Sequence, residues 1–213
     1  MCDRTSDDPG SAGDFAQTSV PASTVSRIEL RTAIAAHADL YRALLGDLPG
    51  LAIVDGPLLD GCIADAAIAP TNSYGCLDAG VDGAFARRFG RRLQRALQER
   101  IGLEFDAEMP VGQAIVLPTG DFSLPYVVAA PATQFPGVIS TEPLIYRALT
   151  AALEAIDRWN AGSGMPAVES VILPDIARIV HGWEADRLVL QLRAAIVDWR
   201  RATGADRLRF RAA

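Results

Sequence analysis

Apolar residues along this chain follow two rhythms. Arg27 to Leu30 resembles a short strand, and short apolar runs at 51–54, 66–69, 113–117, 126–130 and 168–173, set off by Gly, Pro or Asp, predict short buried strands. Between them, apolar positions recur three and four apart. Segment 33–48 carries Ile34, Leu40, Tyr41, Leu44 and Leu45, and Pro49-Gly50 stops it. Segment 81–100 carries Phe85, Phe89, Leu93 and Leu97, with its arginines off the stripe and predicted to face water. Segment 141–160 carries Leu144, Leu149, Leu153 and Ile156, and segment 183–201 carries Leu188, Leu192, Ile196 and Trp199. Strands alternating with helices predict an α/β fold in three layers, an α/β/α sandwich. No internal repeat is visible.

The ends of the chain read differently. Residues 1–25 are rich in Ser, Asp, Gly, Thr and Pro and offer too little apolar surface to offset the entropy of ordering, so a flexible amino-terminal tail is expected there. One domain is expected over 26–201 and a short carboxyl-terminal tail over 202–213. No apolar run approaches the length of a membrane span, and no secretory pattern opens the chain. Three cysteines, Cys2, Cys62 and Cys76, have no metal-ligand spacing and suit a reducing compartment. A cytoplasmic protein without metal or cofactor is the expectation. The net charge is −6 and every basic residue is Arg, which excludes an extended basic footprint for nucleic acid but not a single nucleotide-sized ligand.

Candidate chemistry concentrates in residues 70–90, P-T-N-S-Y-G-C-L-D-A-G-V-D-G-A-F-A-R-R-F-G. A strand precedes this loop and a helix follows it, so its backbone N–H groups and the helix dipole favour an anion. Two further loops, around P-T-G-D-F-S-L-P and P-D-I-A-R-I-V-H-G, lie beside strand ends in the same way. Each by itself reads as a turn more readily than as a site, and together they support a generic α/β ligand binder.

The stretch 68–90 resembles the first ligand loop of macro domains, where an Asn after a strand precedes a Gly-Val-Asp-Gly-like run. Val111 to Gly120, Leu124 to Pro131 and Val171 to Trp199 resemble the same family, so the likeness covers about 26–201. The resemblance implies a mixed, roughly six-stranded sheet between helices, with ADP-ribose, free or on a macromolecule, in a cleft at one sheet edge. It implies that Asn72 bonds the distal ribose, that Ser73, Gly80, Val81, Asp82 and Gly83 lie along the sugar, and that Thr119 and Gly120 line the ligand. In hydrolytic members the residue matching Asp82 helps orient or activate a water, so Asn72 and Asp82 are the catalytic candidates.

The departures from the pattern fall at contacts. Gly56-Pro57 stands where the family carries Gly-Asp for the adenine amino group, leaving Asp55 as the substitute acceptor. The third loop reads Ala177-Arg178-Ile179-Val180-His181-Gly182 in place of glycines that cradle a diphosphate, and Ala79 replaces another glycine. Arg178, Ile179, Val180, His181 and Gly182 are carried as ligand contacts, with Arg178 able to pair with a phosphate. His181 reads as structural before catalytic, His37 as a solvated helix residue, Cys76 as unactivated, and Phe135, after Gln134, as core before ligand stacker. Binding of ADP-ribose or a related nucleotide ranks first. An ADP-ribosyl hydrolase or ADP-ribose-1″-phosphate phosphatase, and a degenerate fold serving as an interaction scaffold, are the alternatives.

Overall fold

A computed structural model of the chain describes residues 25–77, 80–135, 144–162, 164–178 and 184–204. Each apolar run forms a strand: β1 (Arg27–Thr32), β2 (Leu51–Asp55), β3 (Ala66–Asn72), β4 (Ile115–Pro118), β5 (Tyr126–Thr133) and β6 (Ser170–Pro174). The helical segments form α1 (Ala35–Leu45), α2 (Gly80–Phe105), α3 (Ile145–Gly162) and α4 (Ala185–Thr203). Among the described residues no helix is long and apolar enough to cross a membrane.

The strands make one six-stranded sheet in the order β2-β1-β6-β3-β5-β4. β1 runs parallel to β2 and β6, and β3 runs parallel to β6 and β5. Only β4 is antiparallel, pairing Ile115 with Ala129 and Pro118 with Tyr126. The carboxyl ends of β1, β2, β3, β5 and β6 therefore meet at one edge of the sheet, the usual place for a ligand in such folds.

Both faces are covered. On one, Tyr41 and Leu45 of α1, Leu149, Leu153 and Ile156 of α3 and Leu192, Ile196 and Trp199 of α4 pack on Leu30, Ile68, Val128 and Leu173. On the other, Phe85, Leu93, Leu97 and Ile101 of α2 pack on Ala67, Ala69, Val127 and Ile172. The three-layer mixed sandwich expected from the alternation and the family likeness is the observed architecture. The central strand β3, A-A-I-A-P-T-N, carries three alanines and is buried along most of its length.

Three local expectations are corrected. The helix predicted over 81–100 extends to Phe105 and is interrupted at Gly90, whose φ of 68° and ψ of −173° are not helical. Leu144, expected on the buried stripe, is exposed and precedes α3, while Ile145, the first residue of the helix, is buried. Phe135 is 59 % exposed rather than core, and it stacks on Tyr74 with ring centroids 5.8 Å apart.

The conformation at Gly90 belongs to a region that essentially only glycine occupies. No atom lies within 4 Å of a Cβ built there, so a side chain would be opposed by backbone strain alone. Gly90→Ala is expected to lose about 1–3 kcal/mol of stability in chemical denaturation.

Candidate ligand cleft

The loop after β3 is closed by Asn72. Its Oδ1 accepts hydrogen bonds from the backbone N–H groups of Tyr74 (3.1 Å) and Cys76 (3.2 Å), and its Nδ2 donates to the Cys76 carbonyl (2.8 Å). Asn72 is 3 % exposed, so both polar atoms of the amide work on their own loop. An Asx-type closure of this kind explains why Asn suits the end of β3. Ser73 is also buried, with its N–H shared between the carbonyls of Thr133 and Gln134 and its own carbonyl accepting from Met109 N–H. Gly75 completes the turn with φ of 66°, and a Cβ there would stand 2.9 Å from Leu97 Cγ and Ile101 Cδ1 of α2. Glycine is required twice over, by conformation and by space.

α2 then starts at Gly80 at the carboxyl edge of the sheet, with Gly83 buried. The side chains of Val81, Asp82 and Arg178 lie outside the described residues, as do Ala79, Ile179, Val180, His181 and Gly182. Arg178 closes a short 3-10 turn, Ile176–Arg178, that follows β6.

A cleft of about 1230 Å³ runs from the ends of β1, β2 and β6, under the loop that joins β2 to β3, to Ser123 at the opposite edge of the sheet, and Asn72, Ser73 and Gly83 are not in its lining. One wall is made by the end of β1 and the start of α1, through Arg31, Thr32, Ile34 and His37. Another is the 56–63 loop, and the facing wall is α2, through Ala84, Arg87 and Arg88. Asp175 and Ala177 close the β6 end.

The β6 end is held by a buried polar cluster that sequence reading did not single out. Asp175, 5 % exposed, accepts from the hydroxyls of Thr32 (2.6 Å) and Tyr41 (2.6 Å). His37 Nδ1 lies 3.0 and 2.8 Å from the two Asp175 oxygens. An ionised carboxylate only accepts, so Nδ1 carries the proton and Nε2 is the ring's other polar atom, on the cleft-lining residue. The Tyr41 hydroxyl in turn accepts from Ala177 N–H (3.0 Å), which fixes the turn after β6. Burial, reinforced by the Asp175 charge and hydrogen bond, pushes the Tyr41 phenol far above its ordinary range. The expectation that His37 is solvated is thus corrected, because the helix face carrying Tyr41 turns it onto Asp175.

The 56–63 loop is held by Arg88. Its Nη1 donates to the Leu59 carbonyl and reaches Cys62 Sγ (3.1 Å), while Nε and Nη2 pair with Asp121 at 3.0 and 2.9 Å. The Ser123 N–H, then Arg88, hold the Asp121 carboxyl below its ordinary range. Arg88 therefore departs from the expectation that the α2 arginines all face water.

Other expected contacts fall elsewhere. Asp55, at the end of β2, is exposed and paired with Arg42 at 2.7 Å, outside the cleft lining. Thr119 and Gly120 follow β4, which ends beside Tyr126 and Ala66, at the edge of the sheet opposite Asn72. Seven residues of β3 separate the two edges, roughly 20 Å at about 3.3 Å per residue. There the Thr119 hydroxyl donates to the Leu124 carbonyl (2.6 Å) and accepts from Asp121 N–H (3.0 Å), shaping the turn. Among the described residues no group of His, Cys, Asp and Glu could hold a metal ion.

Two outcomes follow from these bonds. Asn72→Ala leaves the N–H groups of Tyr74 and Cys76 without their acceptor, and a loss of about 1–3 kcal/mol is expected in denaturant unfolding. The unfolded chain ionises tyrosine above the ordinary phenol value of 10.0 while Tyr41 stays protonated in the fold. Stability is therefore expected to fall as pH rises past that value, and Tyr41→Phe should flatten the fall in alkaline melting curves, at a lower overall stability.

With the geometry in hand, the relatives are informative. The chain resembles the macrodomain of Mycobacterium tuberculosis DarG at 19 % identity and a TM-score of 0.54, over 68 % of this chain and 88 % of that one. It resembles the macrodomain of Thermus aquaticus DarG at 19 % identity and a TM-score of 0.52, over 67 % and 87 % of the two chains. An uncharacterized protein of Aquifex aeolicus (strain VF5) is 32 % identical over 95 residues, which are 45 % of this chain. That match spans about half of the relative's length, 54 %. The family model described as Macro domain matches residues 68–189, more than half of the sequence, and the chain belongs to the macro domain family.

Proposed function

We propose that this macro domain binds ADP-ribose or a closely related nucleotide in the cleft between the β1 and β6 ends, the 56–63 loop and the first turns of α2. The observation that carries the reading is the position of the cleft. It reaches the carboxyl ends of β1, β2 and β6, the side on which open α/β sheets take nucleotides. Its volume of about 1230 Å³ accommodates an extended ligand, since small-molecule sites typically occupy about 300–1,000 Å³.

In this reading the loop that Asn72 closes delivers Gly80, Val81, Asp82 and Gly83 to the α2 end of the cleft, beside the distal ribose. Small residues there let the backbone approach a sugar closely. The β6 end, with Thr32, His37 and Asp175, takes the opposite end of the nucleotide. Pro57 leaves no side-chain acceptor where the family pattern has one, so the base is met at the β1 and β6 ends by His37 Nε2, the Thr32 hydroxyl and Asp175 being engaged with each other and with α1. The cleft lining holds no Asp55, which removes it from this account of the base.

Calorimetric titration of ADP-ribose into the full chain, with AMP as control, tests the reading. Saturable binding of ADP-ribose is expected, weakened in Asn72→Ala because the loop that presents Gly80 is no longer closed. Absence of any heat of binding with a folded wild-type protein would overturn it.

A further inference from the structure

The charge of Arg31, in the cleft lining, is only partly answered among the described residues. Arg27, Glu29 and Arg31 alternate along β1 and so point to one face of the sheet. Glu29 is their shared carboxylate, 3.4 Å from Arg27 Nη1 and 3.7 Å from Arg31 Nη1. Arg31 thus has half of one acid at a distance beyond hydrogen bonding. Its side chain is nonetheless only 12 % exposed, and its Nε is buried with no hydrogen-bond partner among the described residues. A Cβ built on Gly56 would stand 3.8 Å from Arg31 Nη2, so the guanidinium sits close beneath the 56–63 loop and inside the cleft lining.

The contrast with Arg88 on the facing wall is informative. Arg88 is also largely buried, but every nitrogen has a partner in Asp121, the Leu59 carbonyl or Cys62. The remaining acids near Arg31 do not compensate it. Asp175 is filled by three donors, Asp55 is paired with Arg42 outside the cleft, and Asp60 is exposed on the loop. Arg87, exposed on α2, brings a second guanidinium to the same cleft with no partner among the described residues.

Burying a guanidinium is costly unless a hydrogen-bonded anion answers it. We propose that Arg31, assisted by Arg87, is the phosphoryl-binding residue of the cleft: it takes a phosphate of the bound nucleotide through its planar fork of N–H donors. This rests on the nucleotide reading for the identity of the whole ligand, but the site itself asks only for a phosphoryl anion. The phosphate grip then comes from a side chain of β1, in a chain whose third loop has Ile179 and Val180 where glycine backbone would be needed.

The experiment compares wild type, Arg31→Met and Arg31→Lys in calorimetric titrations with ADP-ribose, inorganic pyrophosphate and adenosine, with melting temperatures of the unliganded proteins. Met keeps the apolar stem and removes an incompletely paired charge. Arg31→Met is expected to weaken pyrophosphate and ADP-ribose roughly ten- to a hundredfold, and to melt at or above the wild-type temperature. Adenosine, which has no phosphate, is expected to bind both equally. Pyrophosphate affinity unchanged in Arg31→Met overturns the proposal. If affinity and melting temperature fall together, Arg31→Lys decides: recovered pyrophosphate binding supports the site, and no recovery overturns it. Wild type that binds pyrophosphate through Arg31 but not ADP-ribose keeps this site and removes the nucleotide reading. Wild type that binds ADP-ribose with no loss in Arg31→Met does the reverse, and a wild type that binds neither removes both.

Discussion

The carboxylate of Asp175 ties together parts of the chain that are far apart in sequence. Thr32 ends β1, His37 and Tyr41 lie on α1, and Asp175 follows β6, so three elements meet on two oxygen atoms. A carboxylate with little access to water needs donors in place of its hydration, and here two hydroxyls and the His37 imidazole stand around it. The price of that arrangement is that all three donors are fixed in direction. With Tyr41 also accepting from Ala177, the end of β6 cannot drift from β1, and the floor of the cleft is rigid at this end.

At the α2 end the same result is reached by local means. Asn72 and Gly75 turn the chain tightly after β3, and the turn fits against Leu97 and Ile101 because Gly75 has no side chain. The second half of α2 therefore supports the loop that leads into its own first half. The break at Gly90 separates these two parts, with Phe85 before it and Leu93, Leu97 and Ile101 after it all packed on the sheet.

Charge is distributed unevenly across the cleft. Arg88 is spent on structure, pinning the 56–63 loop and the β4–β5 turn to α2. Arg31 lies below the same loop with little to bind. Two arginines of similar burial thus differ in kind, one satisfied by protein groups and the other left open to a ligand. An acidic net charge for the whole chain, −6, does not preclude such a site, because burial makes the local balance the one that matters.

Much of the fold was legible from the sequence alone. Apolar runs of period suited to buried strands, and stripes at helical spacing, located the six strands and four helices of the described residues, since these patterns record which faces are buried. The run from Asn72 to Gly83 located the loop at the head of α2, and its likeness to the macro family agreed with the family match. What the sequence could not give was any contact made across the sheet. Asp175 meets Thr32 at a separation of 143 residues and His37 at 138, and Arg88 meets Asp121 at 33, with no local periodicity to mark them. The same limit explains Asp55 and Thr119. Each stands beside a strand end in the sequence, but only strand order and direction decide that Asp55 turns to Arg42 and that Thr119 lies at the far edge. Local pattern determined which segments are strand or helix, and tertiary pairing decided which side chains share a cleft.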